Sequence, residues 1–258
     1  MQNKIAYIFL FFFLATSCTQ NKNYGDPIVE PAIILKSLMS FLVYREDYLR
    51  LSEDFTAFDP ASHIISKETF LKLFSSGEYL PLRLISKDSS SYYRLNKLSD
   101  TTNEDIQQTI KSWGEHLYAL YKMEGKELPG YNFVDLEGNT YNKETSKGKI
   151  LVLKCWFIGC VPCVKEMPAL NEVVKQYKNR RDILFVSLAF DSKEDLKKFL
   201  KNITFNYQIV PDQEKYIMED LKITSFPTHL IINKKGLITK VVNDYKEMVS
   251  ALNKEALK

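Results

Sequence analysis

Two cysteines, Cys160 and Cys163, are separated by two residues in the stretch WFIGCVPCVKEMP, which spans residues 156–168. A pair at this spacing supports three kinds of site: a redox dithiol, half of a zinc site, or a structural disulfide. Pro162 stiffens the loop between the two sulfur atoms, because its ring fixes the backbone and removes one N–H donor. The rest of the chain must decide between the three.

The spacing of the other cysteines and histidines argues against zinc. A zinc ribbon needs a second cysteine pair or two suitably spaced histidines, whereas the three histidines are scattered, at His63, His116 and His229. A structural disulfide would close a very short loop and would add little stability to a chain of 258 residues. The pair is therefore interpreted as a redox dithiol, and neither a metal nor a cofactor is expected.

The composition is that of a globular protein, with 45% hydrophobic and 26% charged residues. The formal net charge is only +3, and the lysines are interspersed with acids. Such a pattern lacks the basic surface that nucleic acid requires, so no nucleic-acid partner is expected.

The segments around the cysteine pair predict a mixed α/β fold. The run KILVLKCWF is apolar except at its lysines, which is typical of a strand buried on both faces. The second cysteine opens a predicted helix, residues 163–180, that is bent at Pro168. Strands and helices then alternate up to a closing hairpin, after an initial hairpin that turns at residues 137–139. Residues 128–258 are expected to form a sheet covered by helices on both faces.

These features resemble thioredoxin and, more narrowly, the TlpA-like thiol-disulfide oxidoreductases of bacterial envelopes. The resemblance rests on the cysteine pair after a buried strand, Glu-Met-Pro after the pair, and Phe-Pro-Thr at residues 226–228. The early hairpin and an inserted helix, residues 192–201, add to it. It covers about residues 128–258 and implies a thioredoxin-like mixed sheet flanked by helices.

The resemblance, read together with the physical chemistry of thiols, implies roles for individual residues. Cys160 would lie at a helix N-terminus, where N–H groups stabilise an anion, and is expected to be the attacking thiolate. Cys163 is expected to resolve the mixed disulfide. The bond before Pro227 is expected to be cis. Phe226 and Pro227 are expected to bind substrate, together with Trp156, which would also shield the dithiol.

Four neighbours of the pair need an interpretation. Lys154 stands where thioredoxin has a buried acid, and its ammonium is expected to reach solvent from a buried stem. Lys154→Met is therefore expected to retain most activity. Glu166 and Lys154 are the candidates for a proton shuttle, although Glu166 is preferred as a partner of the helix N-terminus. Cys155 is expected to be an inert core residue, and His229 a packed histidine.

The first residues predict export from the cytoplasm. In MQNKIAYIFLFFFLATSC one early lysine precedes an apolar run that is short for a membrane span, followed by small residues and Cys18. This resembles a lipoprotein signal peptide over residues 1–18, with a lipidated Cys18 and a tether over residues 19–31. An ordinary signal peptide and an uncleaved anchor remain alternatives. The protein is thus expected in the bacterial cell envelope, facing the periplasm, where disulfides persist.

Between the tether and the thioredoxin-like domain, residues 32–127 show helix and strand patterns without a chemical motif. They predict a smaller α+β region whose role the sequence leaves open.

The leading hypothesis is a protein disulfide reductase. The resemblance implies disulfide-containing client proteins, cytochrome c apoproteins among them, and a membrane partner that supplies electrons. One alternative is a thiol peroxidase, but residues 153–160 lack the Pro and Thr of that family's Pro-x-x-x-Thr-x-x-Cys loop. Another is a binding lipoprotein whose residues 32–127 capture a peptide or a glycan.

Overall fold

The computed structural model describes residues 23–258, so the predicted signal peptide and Cys18 lie outside the described residues. The described chain contains two five-stranded sheets and a two-stranded hairpin. None of the helices in this part of the chain is long and apolar enough to cross a bilayer. One sheet belongs to the N-terminal region, and the other to the half that carries the cysteine pair.

The N-terminal region is an α+β unit, as the sequence predicts. Its elements in chain order are β1 (Tyr24–Pro27), α1 (Pro31–Ile34), α2 (Leu38–Tyr48), β2 (Thr56–Phe58), β3 (Ile64–Ile65), α3 (Lys67–Phe74), β4 (Tyr79–Ser86), β5 (Tyr92–Lys97) and α4 (Glu104–Tyr121). The strands lie in the order β1-β4-β5-β2-β3. Polar caps begin the longer helices, since Ser66 accepts an N–H at the start of α3 and Asn103 accepts two at the start of α4.

Strand β1 falls inside the segment predicted as a tether, so that prediction was wrong from Tyr24 onward. β1 pairs antiparallel with β4, and the Ile28 N–H donates to the Arg83 carbonyl at 2.9 Å. A four-residue edge strand is held by backbone hydrogen bonds and leaves no side-chain pattern in the sequence. Strands β2 and β3, of three and two residues, were missed because they are too short to show an alternating side-chain pattern.

The C-terminal half forms the predicted thioredoxin-like mixed sheet. Its elements are β6 (Asn132–Val134), β7 (Thr140–Asn142), β8 (Ile150–Trp156), α5 (Val161–Lys165), α6 (Met167–Gln176), β9 (Ile183–Ala189), α7 (Lys193–Phe199), β10 (Gln208–Val210), a π-helix (Tyr216–Asp220), β11 (Thr228–Ile232), β12 (Ile238–Val242) and α8 (Tyr245–Ala256). The sheet order is β10-β9-β8-β11-β12. β8, β9 and β10 are parallel, and β11 is antiparallel to β8 and β12.

Strand β8 is the centre of this sheet, and all seven of its residues are buried. Its side chains alternate between two cores, as strand geometry requires. Even positions such as Val152 and Trp156 pack with α6 and α8, whereas odd positions such as Leu153 and Cys155 pack with the hairpin and the π-helix. Lys154 is an even position, so its side chain enters the core that also holds the cysteine pair.

The two regions meet along β12. After α4 the chain pairs with this strand, because the Gly125 N–H donates to the Ile238 carbonyl at 2.7 Å and the Ile238 N–H donates to the Lys126 carbonyl at 2.8 Å. The ammonium of Lys240 on β12 also pairs with Glu124 at 3.1 Å, and both side chains are largely buried. Backbone pairing and a shielded ion pair therefore attach the N-terminal region to the thioredoxin-like domain.

Within the N-terminal region, helices α3 and α4 approach each other most closely at Gly114. A Cβ atom on this glycine would lie 2.7 Å from the carbonyl oxygen of Phe74 and 2.9 Å from the Cα of Ser75. Both are backbone atoms at the end of α3, so they can move only if the two helices separate. The absence of a side chain at Gly114 is therefore a packing requirement.

We expect Gly114→Ala to lower the free energy of unfolding by about 1–3 kcal/mol, because overpacking outweighs the usual helix preference for alanine. Urea denaturation followed by circular dichroism measures the change. Gly130→Ala is the control, since a Cβ atom there has no neighbour within 4 Å. Equal stabilities of the two variants would contradict the packing argument.

Candidate redox site

Cys160 and Cys163 form a disulfide at the start of α5, with their Cα atoms 5.2 Å apart. β8 ends at Trp156, and a short turn over residues 157–159 brings Cys160 to the position that caps the helix. The N–H of Cys163 is directed at the Cys160 sulfur, 3.3 Å away. A donor aimed at the sulfur stabilises its anion, so this contact favours a thiolate at Cys160 once the disulfide opens.

The two sulfurs differ in accessibility. Cys160 is 5% exposed, whereas Cys163 is completely buried. Both residues are therefore largely shielded, and only Cys160 keeps any surface through which an incoming sulfur could approach. This difference supports the predicted order, in which Cys160 attacks and Cys163 resolves.

The predicted helix over residues 163–180 is two helices, and the bend at Pro168 is confirmed. Glu166 ends α5 and also precedes the first residue of α6. Pro168 lies in the first turn of α6, where its missing N–H leaves no helical hydrogen bond unmade. The helix starts at Val161, earlier than predicted. The break places the carboxylate of Glu166 close to the cysteine pair.

The peptide bond between Phe226 and Pro227 is cis, as predicted. Thr228, the next residue, pairs with Cys155 in the β11–β8 ladder, so the loop lies at the end of the sheet where α5 begins. The half-buried Phe226 ring packs against Phe157, with ring centroids 5.6 Å apart. Of the two loop residues predicted to bind substrate, Phe226 is accessible and Pro227 is buried.

Trp156 does not belong to the surface around the disulfide, contrary to the prediction that it binds substrate. Its side chain is completely buried and packs against Phe199 and Phe205, with ring centroids 5.8 and 5.9 Å apart. The reason is its place at an even position of β8, which faces the core beneath α6. The Trp156 ring belongs to the same buried cluster as Cys160 and Cys163.

Lys154 is completely buried, so the prediction that its ammonium reaches solvent was wrong. Nζ donates to the Cys163 carbonyl at 3.2 Å and forms an ion pair with the Glu166 carboxylate. A lysine side chain reaches solvent from an exposed or edge position, whereas β8 is central and covered on both faces. The Lys154 charge is therefore paired inside the core, next to the carbonyl of Cys163.

Glu166 and His229 complete the buried cluster around Lys154. His229 lies opposite Lys154 in the β11–β8 ladder, and facing residues of an antiparallel pair are close neighbours. Its Nε2 is 3.0 Å from Glu166 Oε1. The carboxylate of Glu166 lies at the N-terminus of α6 but makes no side-chain capping hydrogen bond there, so its helix-terminus role stays a prediction. His229 is packed, as predicted, but its contact with Glu166 was missed, because only the strand register could have indicated it.

Burial and pairing shift the pKa values of these three residues in opposite directions. Burial lowers the pKa of Lys154 and outweighs the attraction of Glu166. Burial also lowers the pKa of His229, so its imidazole is neutral. Burial alone would raise the pKa of Glu166, but the contacts with His229 and Lys154 hold it below the ordinary value. The cluster therefore holds a carboxylate balanced by an ammonium, beside a neutral imidazole.

Cys155 is a free cysteine that faces the opposite core. Burial raises the pKa of its thiol to about 12, so little thiolate forms near neutral pH. This agrees with its interpretation as an inert core residue. Across residues 23–258, no three His, Cys, Asp or Glu side chains converge in a group that could hold a metal ion.

His229→Gln tests whether the buried imidazole is neutral. Because burial lowers the pKa of His229 in the folded protein, the unfolded chain takes up a proton near the ordinary pKa of 6.5 and the folded protein only at lower pH. The wild type is therefore expected to lose stability as the pH falls below 6.5, by up to about 1.4 kcal/mol per pH unit more than the variant. Urea denaturation at pH 7.5 and pH 5.5 measures this. His63→Gln, at an exposed histidine, should follow the wild type, and the same behaviour of His229→Gln would refute the assignment.

Lys154→Met tests the buried ion pair. We expect this variant to lose about 3 kcal/mol of unfolding free energy, because the Glu166 carboxylate stays buried without its ammonium. The double variant Lys154→Met/Glu166→Gln should lose clearly less than the sum of the two single variants. Chemical denaturation of all four proteins at pH 7 gives the coupling. A loss below about 0.5 kcal/mol for Lys154→Met would instead fit a solvated lysine.

Comparisons with known proteins agree with this site. Residues 124–241 match the AhpC/TSA family. The chain is 32% identical over 126 residues to the thiol-disulfide oxidoreductase ResA of Bacillus thuringiensis subsp. konkukian, a match that covers 48% of this chain and 71% of that protein. It is 29% identical over 136 residues to the thioredoxin-like protein YneN of Bacillus subtilis, covering 50% of this chain and 79% of that protein.

Among solved structures, the thioredoxin domain of a thiol-disulfide oxidoreductase from Bacteroides vulgatus is similar over 51% of this chain and 97% of its own, with 24% identity and a TM-score of 0.46. The chain therefore belongs to the TlpA-like thiol-disulfide oxidoreductases of the thioredoxin superfamily, the family that includes ResA.

Proposed function

We propose that this oxidoreductase works outside the cytoplasm and reduces protein disulfides through the dithiol form of Cys160 and Cys163. One observation carries the proposal: Cys160, which keeps 5% of its surface exposed, receives the N–H of Cys163, which is completely buried. One thiol is thus prepared to attack an external disulfide, and the other can react only with its neighbour.

In the reductive direction the Cys160 thiolate attacks one sulfur of the client disulfide. A new S–S bond forms between Cys160 and the client, the client disulfide breaks, and the released client sulfur takes up a proton. Cys163 then loses its proton and attacks the Cys160 sulfur, which releases the second client sulfur. Two electrons have passed to the client, and the Cys160–Cys163 disulfide seen in the structure remains.

The cis-proline loop is the proposed contact for the client chain. Phe226 is half-buried, and its ring packs edge to face against Phe157. Part of the Phe226 ring therefore stays open to a polypeptide. Pro227 holds the backbone of this loop, and Trp156 supports the cysteine turn from within the core.

Lys154 and Glu166 are the proposed means of handling the proton of Cys163. The Lys154 ammonium binds the carbonyl of Cys163, so its positive charge favours the thiolate that the resolving step needs. Glu166 lies on the same ammonium and is the available carboxylate for the proton that leaves.

Each turnover leaves the protein oxidised, so a further dithiol must return two electrons to it. We place this donor in the membrane and the protein at its outer face, because residues 1–18 have the pattern of an exported lipoprotein and Cys18 that of its lipidation site. Residues 32–127 would then lie between the anchor and the thioredoxin-like domain.

Two other functions receive less support. A thiol peroxidase relies on a lone peroxidatic cysteine, whereas here the candidate cysteine has a partner one helical turn away and is disulfide-bonded to it. A binding lipoprotein with a passenger redox domain would not need an attacking thiol that is accessible beside a cis-proline loop.

Reduction of insulin by the full chain in the presence of dithiothreitol tests the proposal. We expect Cys160→Ser to lower the rate to that of dithiothreitol alone, because no thiolate remains to attack. Cys163→Ser should accumulate a mixed disulfide with insulin on non-reducing gels, because the resolving thiol is missing. Cys155→Ala, at the buried free cysteine, is the matched control and should keep the wild-type rate. Equal rates for the wild type and Cys160→Ser would overturn the proposal.

A further inference from the structure

Helix α4 of the N-terminal region touches the loop that holds the cis proline through one intermediate residue. Nε2 of His116 lies 2.6 Å from Oδ1 of Asn243. The amide Nδ2 of Asn243 donates to the Pro227 carbonyl and to the Thr228 hydroxyl, both at 2.8 Å. A series of hydrogen bonds therefore connects the N-terminal region to the cis-proline loop, which lies at the same end of the sheet as the disulfide.

The donors and acceptors of these hydrogen bonds, from His116 through Asn243 to Pro227 and Thr228, follow from the chemistry of each group. The Pro227 carbonyl can only accept, and the Thr228 hydroxyl donates to the Ser225 carbonyl at 2.6 Å, so both need a donor from Asn243. The Asn243 carbonyl oxygen must then face His116, and Nε2 of His116 must carry the proton. A residue at position 116 can therefore hold Asn243 only if it donates a hydrogen bond.

A groove of about 520 Å³ opens beside this contact, between the N-terminal region and the thioredoxin-like domain. His116 and Ser225 both line it, so the groove begins at the residue that precedes Phe226. Its charged residues come from both regions and carry both signs: Arg45, Glu46, Arg50, Glu53, Asp244, Lys246 and Glu247.

The disulfide, the cis-proline loop and the groove lie at one end of the sheet. α5 begins after β8, Thr228 pairs with Cys155 near the end of β8, and Asn243 follows the last residue of β12. A client chain joined to Cys160 must cross this end of the sheet. An extended chain advances about 3.3 Å per residue, so a client chain bound at Cys160 can continue along this end of the sheet toward the groove.

The position of the groove wall is fixed by contacts far from the redox site. Nζ of Lys240 on β12 donates to the Ser52 carbonyl at 2.9 Å, and Nζ of Lys67 donates to the same oxygen at 2.8 Å. Ser52 also lines the groove. Together with the pairing of the chain after α4 with β12, these contacts hold the N-terminal region and the thioredoxin-like domain on either side of the groove.

We propose that the N-terminal region completes the client site: the groove binds an extended stretch of the client polypeptide next to its disulfide, and His116 positions the cis-proline loop through Asn243. This inference rests on the proposed reduction of protein disulfides. The mixed charges suit a polypeptide with polar side chains and lack the single-sign cluster that a nucleic acid or a phosphate would require. Residue 116 is a positioning residue, because it acts on the loop and not on the sulfur atoms.

The test compares a protein disulfide with a small one in the same variants. Fully reduced protein is mixed with excess insulin or with 5,5′-dithiobis(2-nitrobenzoate), and the single-turnover rate is measured against concentration. We expect His116→Ala to raise the half-saturating insulin concentration and to lower the ratio of the insulin to the small-disulfide rate constant by about fivefold, the effect of one lost hydrogen bond. His116→Gln, whose amide can donate to Asn243, should restore most of the ratio, whereas His116→Glu should not.

His63→Ala is the matched control, because His63 is an exposed histidine of the same region whose side chain contacts Asp59 and lies outside the groove. It should keep the wild-type ratio. Unchanged ratios in all three His116 variants, with an active wild type, would overturn this inference alone. A wild type that reacts with the small disulfide but never with insulin would overturn the proposed function and this inference with it.

A second pair of variants tests the groove itself. Glu46 lines the groove and is exposed, whereas its neighbour Asp47 is exposed and outside the lining. We expect Glu46→Trp to raise the half-saturating insulin concentration at least about fivefold by filling the groove, and Asp47→Trp to behave as the wild type. Equal insulin saturation in the two tryptophan variants would contradict binding of the client in the groove.

Discussion

The ammonium of Lys154 lies in the central strand of a sheet that is covered on both faces, and a charge in that place must be paired. Glu166 supplies the opposite charge from the junction of α5 and α6, and His229 contacts that carboxylate from the facing strand. The three residues come from the strand before the cysteines, the helix after them, and the strand after the cis proline. Satisfying one buried charge therefore holds together the three elements that form the redox site.

The same end of the sheet is where the N-terminal region meets the thioredoxin-like domain. Asn243 connects the Pro227 carbonyl to His116, while Lys240 binds the backbone of the N-terminal region at Ser52. The region without a readable chemical motif is thus attached next to the cis-proline loop. The proposed contribution of this region is to position the loop, because His116 reaches the Pro227 carbonyl through Asn243.

Local patterns predicted much of this protein. The buried strand β8 was recognisable from its apolar run, the α+β character of residues 32–127 from its helix and strand patterns, and the cis proline from the Phe-Pro-Thr stretch. The errors arose where the outcome depends on a neighbour in space. Tyr24 was assigned to a tether because an edge strand is held by the backbone of its partner. Lys154 and Trp156 were misplaced because the residues that pack against them, Glu166 for the lysine and Phe199 and Phe205 for the tryptophan, come from other elements.

The sequence by itself determined the chemistry: two thiols one helical turn apart, at the start of a helix that follows a buried strand. These properties depend on residue types and on spacings of a few positions, which local geometry converts directly into structure. The tertiary structure alone decided the partners of that chemistry. Strand register put His229 opposite Lys154, and the pairing of the chain after α4 with β12 brought His116 to the cis-proline loop. Such contacts join residues up to 127 positions apart, and only packing brings residues at that separation together.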